Sequence, residues 1–178
     1  MPKITYIKAR EILDSRGNPT VECDLKLNDL FFGRASVPSG ASTGRYEALE
    51  LRDNENNRYQ GKGVLKAANN INNFFTKKIL SKDFDSIKTF DENLITLDGT
   101  ENKSNYGANS ILALSLAFAK AFSSFSRKNL YDFLSYDKKF VLPVPMINIV
   151  NGGRYDKLIF NLGSKQKVPA VGAALNII

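Results

Sequence analysis

The segment "PTVECDLKL", Pro19 to Leu27, decides the fold: Val21, Cys23, Leu25 and Leu27 alternate with Thr20, Glu22, Asp24 and Lys26. Side chains along a strand point to its two faces in turn, so this period of two predicts a β-strand with one apolar and one wet face. Upstream, "ITYIKAREIL" (Ile4 to Leu13) opens with β-branched and aromatic residues, and "DSRGNP" (Asp14 to Pro19) supplies turn-forming residues between the two. Downstream, Asn28 and Asp29 give a hairpin signal, weaker than Asn-Gly, ahead of the apolar "LFFGRASV" (Leu30 to Val37). The pattern predicts three antiparallel strands in a meander.

Beyond residue 60 the period changes from two to that of a helix. Val64, Ala67, Ala68, Ile71, Phe75 and Ile79 fall on one face of a segment that starts after Gly61-Lys62-Gly63. A second helix carries Ile87, Phe90, Leu94 and Leu97, with Asp85 as its expected cap. A third carries Ile111, Leu114, Phe118, Phe122 and Phe125, among alanines that permit close packing. In "NKSNYGANS" (Asn102 to Ser110) the Asn and Ser side chains are expected to satisfy that helix's start and the turn before it. Strands first and helices after predict an α+β fold rather than an alternating α/β one. Near residue 140 the texture changes again: "VLPVPMINIVNGG" (Val141 to Gly153) reads as a linker entering a buried strand, and no internal repeat is visible.

Composition narrows the function. The chain has 178 residues, 43% of them hydrophobic, with a formal charge of +7 and no histidine. Its Lys and Arg residues are dispersed, and no aromatic-basic interleaving of a nucleic-acid reader is present, so a solvated basic surface is expected rather than nucleic-acid binding. Cys23 is the sole cysteine, which excludes an intramolecular disulfide and any Cys-Cys or Cys-His metal spacing. The N-terminus lacks a signal-peptide core, and the apolar stretches are too short and too interrupted for a membrane span, so a cytoplasmic location is expected.

The segment "VPSGASTGRYEALELRD" (Val37 to Asp53) is the chemically richest. Its glycines permit close backbone approach, and the hydroxyls of Ser39, Ser42 and Thr43 can donate to oxygens or ligate a hard cation. It matches neither the P-loop nor the dinucleotide-binding glycine pattern. On composition alone a surface loop is the expected reading, with a phosphate cradle as the alternative.

The runs "AREILDSRGNPTVE" (Ala9 to Glu22), "VPSGASTGRYEALELRD", "GKGVLKA" (Gly61 to Ala67), "LDGTENKSNYGANSILALSLAFAKA" (Leu97 to Ala121) and "LPVPMINIVNGG" (Leu142 to Gly153) together resemble the enolase family. The resemblance implies an enolase N-terminal-like domain over residues 1–140, and a linker with an incomplete start of a TIM-type barrel over 141–178. It further implies Mg2+-dependent dehydration of 2-phosphoglycerate to phosphoenolpyruvate. Ser39, Gly40, Ala41, Ser42 and Thr43 would form the loop that closes over substrate, Ser42 would be a magnesium ligand, and Gly40 and Gly44 would be hinges. Arg10, Arg16 and Glu22 match positions at the family's homodimer interface.

After Gly153 the resemblance ends. Tyr155 stands where enolases carry a substrate-facing histidine, Gly163 and Ser164 stand where they carry Gln and Glu, and Asp156 is the sole acidic residue from Arg154 onward. The lysine base, carboxylate triad and glutamate acid of the family reside in the barrel. The chain is therefore expected to hold no catalytic residue and to be inactive unless a barrel is supplied. The other reading is a non-catalytic binding module derived from an enolase, and turnover by the purified chain separates the two.

Overall fold

The structure, a computed structural model, describes residues 1–38, 47–135, 150–154 and 171–175. The chain divides into two compact units, Met1–Lys138 and Lys139–Ile178.

In the first unit β1 (Ile4–Leu13), β2 (Pro19–Leu27) and β3 (Phe31–Ser36) form an antiparallel sheet in the order β1-β2-β3. Ala9 lies opposite Cys23, and Cys23 opposite Ala35, so small side chains meet at the centre of the inner face. The β2–β3 connection closes through the Leu30 N–H, which donates to the Leu27 carbonyl at 3.2 Å. Asn28 and Asp29 both take positive φ there, a conformation that Asn and Asp tolerate better than most residues.

Val21, Cys23, Leu25 and Leu27 are all buried, as the alternation predicts. The opposite face is not uniformly wet. Thr20 and Asp24 are buried as well, the first because its hydroxyl donates to the Val37 carbonyl at 2.6 Å, the second because arginines from both neighbouring strands cover it.

The first helical segment runs as α1 (Leu65–Asn69), a π-helical stretch (Asn70–Phe75) and α2 (Thr76–Ile79). All six residues of its expected stripe are buried. The π-helical stretch holds Asn72 against the outer edge of β1: its Oδ1 accepts from the Ala9 N–H at 2.8 Å and its Nδ2 donates to the Ala9 carbonyl at 3.0 Å. A free strand edge is thereby satisfied.

α3 (Ile87–Asp98) is capped by Ser86, whose hydroxyl accepts from the Thr89 N–H, and not by Asp85. Asp85 instead accepts from the Thr89 hydroxyl at 2.6 Å, which together with nearby donors holds its carboxyl below the ordinary value.

α4 (Ala108–Phe125) lies across β2 and β3, with Ala113, Leu114, Ala117, Phe118 and Ala121 buried. Among the described residues it is the one helix long and apolar enough to cross a membrane by composition, yet 61% of it is buried inside the fold. A Cβ at Gly33 would run into the Ala117 carbonyl oxygen and come within 2.7 Å of the Ala121 nitrogen, so glycine sets the distance between β3 and this helix. Phe90 stacks on Phe118 at 4.1 Å, joining α3 to α4. α5 (Leu130–Leu134), which the sequence pattern does not announce, follows.

In the second unit β4 (Val150–Arg154) and β5 (Val171–Leu175) pair antiparallel. Among the described residues of this unit these two strands form a two-stranded ladder. Most of the expected linker and barrel start lies outside the described residues.

Candidate functional site

Ser39, Gly40, Ala41, Ser42 and Thr43, with the hinge position Gly44, lie outside the described residues. The two ends of that segment are described, and both are held by hydrogen bonds to secondary structure. On the upstream side the Val37 N–H donates to the Val21 carbonyl at 2.9 Å, and the Val37 carbonyl accepts from Thr20. On the downstream side the Leu49 N–H donates to the Asn102 carbonyl, and the Leu49 carbonyl accepts from the Ala108 N–H, each at 2.8 Å. Two residues later Asn109 pairs with both backbone groups of Leu51, at 3.1 and 3.0 Å. The first turn of α4 thus holds the chain where it returns from the 39–46 segment.

The "NKSNYGANS" run makes this possible, with one difference from expectation. The position before α4 is Gly107, at φ 88, with no side-chain cap. Asn105 donates to the Asp98 carbonyl, Ser110 donates to the Ala67 and Tyr106 carbonyls, and the buried Asp98 carboxylate accepts from the Tyr106 N–H at 2.9 Å. These side chains tie the turn to its neighbours as well as to itself. Gly107 is needed for room: a Cβ there would lie 2.5 Å from the Leu51 Cβ.

Of the three expected interface residues the structure brings two together. Arg10 Nε donates to Glu22 at 2.9 Å, and Arg10 Nη2 to Asp24 at 2.5 Å. Arg34 completes the cluster with two bonds to Asp24, at 2.6 and 2.9 Å, and Ser36 donates to Glu22 at 3.0 Å. The Arg34 pair first, then Arg10, hold the Asp24 carboxyl below its ordinary value; Glu22 foremost raises Arg10. Arg16 stands apart, exposed in the β1–β2 turn, with its backbone N–H donating to Asp14. Sequence reasoning missed Asp24 and Arg34, although their places opposite Lys8 and Asp24 in the strand register were open to anyone who paired the strands.

A second buried carboxylate cluster serves the start of α1. Asp53 accepts from the Leu65 and Lys66 N–H groups at 2.9 and 2.8 Å, and Glu11 accepts from the Val64 N–H at 2.7 Å. Arg58 bridges Glu11 and Asp53. Two acidic groups from distant segments thereby take over the capping that α1 lacks locally, which suits the positive end of a helix. A side chain at Gly63 would collide with Asp53, which accounts for the second glycine of Gly-Lys-Gly.

Beside the loop ends a groove of about 740 Å3 opens between α3 and α4. Leu49, Ile95 and Leu112 line it and are 49%, 43% and 39% exposed, an apolar surface of a kind that folded domains usually cover. Asp91 faces it from α3. One carboxylate oxygen of Asp91 is enclosed and has no hydrogen-bond partner, and burial pushes this carboxyl up despite a hydrogen bond from Ser115.

Among the described residues no group of three His, Cys, Asp or Glu side chains is placed to hold a metal ion. Each carboxylate cluster described above is already neutralised by arginine or consumed by backbone N–H groups. These residues do not make a magnesium site.

The comparisons with known proteins agree with this architecture. The family described as "Enolase, N-terminal domain" matches residues 4–134. The enolase of Methanococcoides burtonii is 55% identical over 152 residues, covering 85% of this chain and 36% of that protein. The chain thus spans about a third of the length of that relative. With the meander, the helices and the anchored loop ends in place, the chain belongs to the enolase family, and the stretch from residue 4 to residue 134 is its N-terminal domain.

Proposed function

We propose that this chain acts as the N-terminal domain of an enolase and contributes residues 39–46 to the conversion of 2-phosphoglycerate to phosphoenolpyruvate. The observation that carries the reading is the anchoring of both ends of that segment, on β2 at Val37 and on α4 at Leu49 and Leu51. A loop that must meet its substrate reproducibly needs fixed ends on rigid elements. Membership of the family supports the substrate class.

In this reading Ser42 offers one hydroxyl oxygen to Mg2+, a hard cation that takes oxygen ligands in octahedral geometry. One hydroxyl does not fill such a shell, so no step of the reaction is assigned to this chain through the ion. Gly40 and Gly44 supply backbone freedom on either side of Ser42. Arg10, Arg16 and Glu22 belong to a homodimer interface in the cytoplasmic enzyme; the Arg10–Glu22 pair would fix both side chains before the subunits meet. In this reading the lysine base and the glutamate acid come from a barrel, as the resemblance to the family implies; after Gly153 this chain carries one acid, Asp156.

The test follows phosphoenolpyruvate absorbance at saturating magnesium. The 178-residue chain is expected to be inactive, and the same chain continued through the remaining sequence of the M. burtonii relative is expected to be active. In that continued protein Ser42→Ala should raise the magnesium requirement while leaving the fold intact. Turnover by the chain alone, or unchanged magnesium dependence in the variant, defeats the reading.

A further inference from the structure

We propose that Arg52 is a positioning residue for the reaction assigned above, and that it ties the two described ends of the 39–46 segment to each other across the start of β2. The proposal rests on the reading of this chain as an enolase N-terminal domain, and it names a group that reading does not supply.

The upstream end runs out of strand partners at Val37. Its N–H donates to the Val21 carbonyl, and Pro38, next in the chain, has no N–H with which to continue the ladder. The Thr20 hydroxyl takes the Val37 carbonyl, at 2.6 Å. Carbonyls along a strand point to its two neighbours in turn, so after Val21 the next one on this edge of β2 belongs to Pro19. Arg52 Nη1 donates to that carbonyl at 2.7 Å. A side chain from the downstream end thus pairs with β2 just past Ser36, where β3 stops.

The same guanidinium makes two further bonds: Nη1 donates to the Lys62 carbonyl at 2.8 Å and Nη2 to Glu50 at 2.7 Å. A planar fork with donors in fixed directions can bridge three segments at once, which a lysine, a compact point charge, does poorly. The Arg52 and Glu50 side chains are 20% and 29% exposed, so solvent screens the pair only in part. Arg10, Arg34 and Arg58 bind carboxylates, whereas Arg52 gives two of these three bonds to main-chain carbonyls of other segments. Bonds of that kind fix backbone spacing. The path from Val37 through Thr20, Pro19 and Arg52 to Glu50 joins the exit of β3 to the returning chain.

The first test is amide exchange in the 178-residue chain, read at Val37 and Leu51, with the fully buried Leu114 inside α4 as the reference. Arg52→Gln should speed exchange at both ends by at least about tenfold relative to Leu114, the scale of losing hydrogen bonds to a charged group. Val37 is the decisive amide, because its own backbone bonds are to Val21 and Thr20. Thr20→Val, which removes the Val37 anchor directly, gives the rate of a released end. Arg52→Lys should lie between wild type and Arg52→Gln, and replaces it should the glutamine variant misfold. An unchanged rate at Val37 overturns the tie. Equal acceleration at Val37 and Leu114 assigns Arg52 a general stabilising role and overturns it too.

The second test uses the chain continued through the relative's remaining sequence. There Arg52→Gln should raise both the KM and the magnesium concentration for half-maximal turnover by at least about fivefold, with a smaller fall in kcat. A merely structural loss lowers the active fraction and leaves both values where they were, so unchanged values overturn the positioning role. Faster exchange at Val37 in Arg52→Gln, with a continued protein that is inactive even when Arg52 is present, supports the tie and defeats the proposed function. An unchanged Val37 rate with an active continued protein overturns the tie and leaves the proposed function standing.

Discussion

Asn109 holds Leu51 by both of its backbone groups: the side-chain oxygen accepts from the Leu51 N–H at 3.1 Å and the side-chain nitrogen donates to the Leu51 carbonyl at 3.0 Å. Asn72 does the same to Ala9 at the outer edge of β1, at 2.8 and 3.0 Å. A primary amide carries a donor and an acceptor side by side and so imitates a neighbouring strand. The fold uses this device at two places where a strand or an extended segment runs alongside a helix and has no strand partner.

Asn109→Ala should therefore destabilise the chain by about 2–3 kcal/mol, since two bonds go and buried backbone groups are left unpaired. Asn109→Asp keeps the acceptor and loses the donor, and should fall between the two. Urea unfolding with an unchanged m-value measures the loss. In an active continued enzyme the same substitution should lower turnover, because the downstream end of the 39–46 segment loses its tether. Full stability in Asn109→Ala would show that the Leu49 bonds alone hold that end.

Gly33→Ala tests the packing of β3 on α4. The added methyl group would overlap the Ala117 carbonyl and crowd the Ala121 nitrogen, both of them backbone atoms that cannot swing aside. Overpacking of this kind costs about 1–3 kcal/mol and sometimes more. The thermal midpoint should fall by several degrees, and near-ultraviolet dichroism should show disturbed packing of Phe118 and its neighbours. Gly17→Ala in the β1–β2 turn, where no atom lies within 4 Å, meets only the strain of a φ of 76 and should cost less.

Asp24 sets an acid limit on stability. Its carboxyl is held below the ordinary aspartate value of 3.8, first by Arg34 and then by Arg10. A carboxyl with a lower pKa in the folded state binds fewer protons there than in the unfolded chain. Its contribution is therefore complete above the ordinary value and disappears as pH falls through the folded one. The urea midpoint should drop between about pH 5 and pH 2, and drop less steeply in Asp24→Asn, which starts from a lower stability at neutral pH. Parallel slopes would remove Asp24 from the account.

What the sequence discloses and what it hides divide along physical lines. The alternation of Val21 to Leu27 and the stripes of the three main helices are legible because burial on one face leaves a period in the chain. Non-local satisfaction leaves none. Thr20 and Asp24 look like wet-face residues until β3 brings Val37 and Arg34 over them. Ser86 displaces Asp85 as a cap through a difference of one residue, below what a pattern can fix. Asp91 sits at an ordinary helical position, and its enclosure appears once α4 packs beside it. The loop motif of residues 39–46 was legible as chemistry; the anchoring of its ends, by an amide fifty-eight residues away in the case of Leu51, was not.

Cys23 offers an internal reporter for the whole N-terminal domain. Its side chain is fully buried at the centre of β2, between Ala9 and Ala35, and its S–H faces the Asp24 carbonyl at 3.6 Å. Burial, with the nearby Asp24 carboxylate adding to it, pushes the thiol up to about 12, so almost no thiolate exists at neutral pH. Native chain at about pH 8 should resist a thiol reagent that modifies the urea-unfolded chain rapidly. As urea is raised, the labelling rate should climb together with the loss of helical dichroism, because the central strand can be reached only when the sheet leaves α4. Labelling that runs ahead of the dichroism change would mean that β3 opens by itself, and would place the lowest-stability part of the domain at the strand that leads into the 39–46 segment.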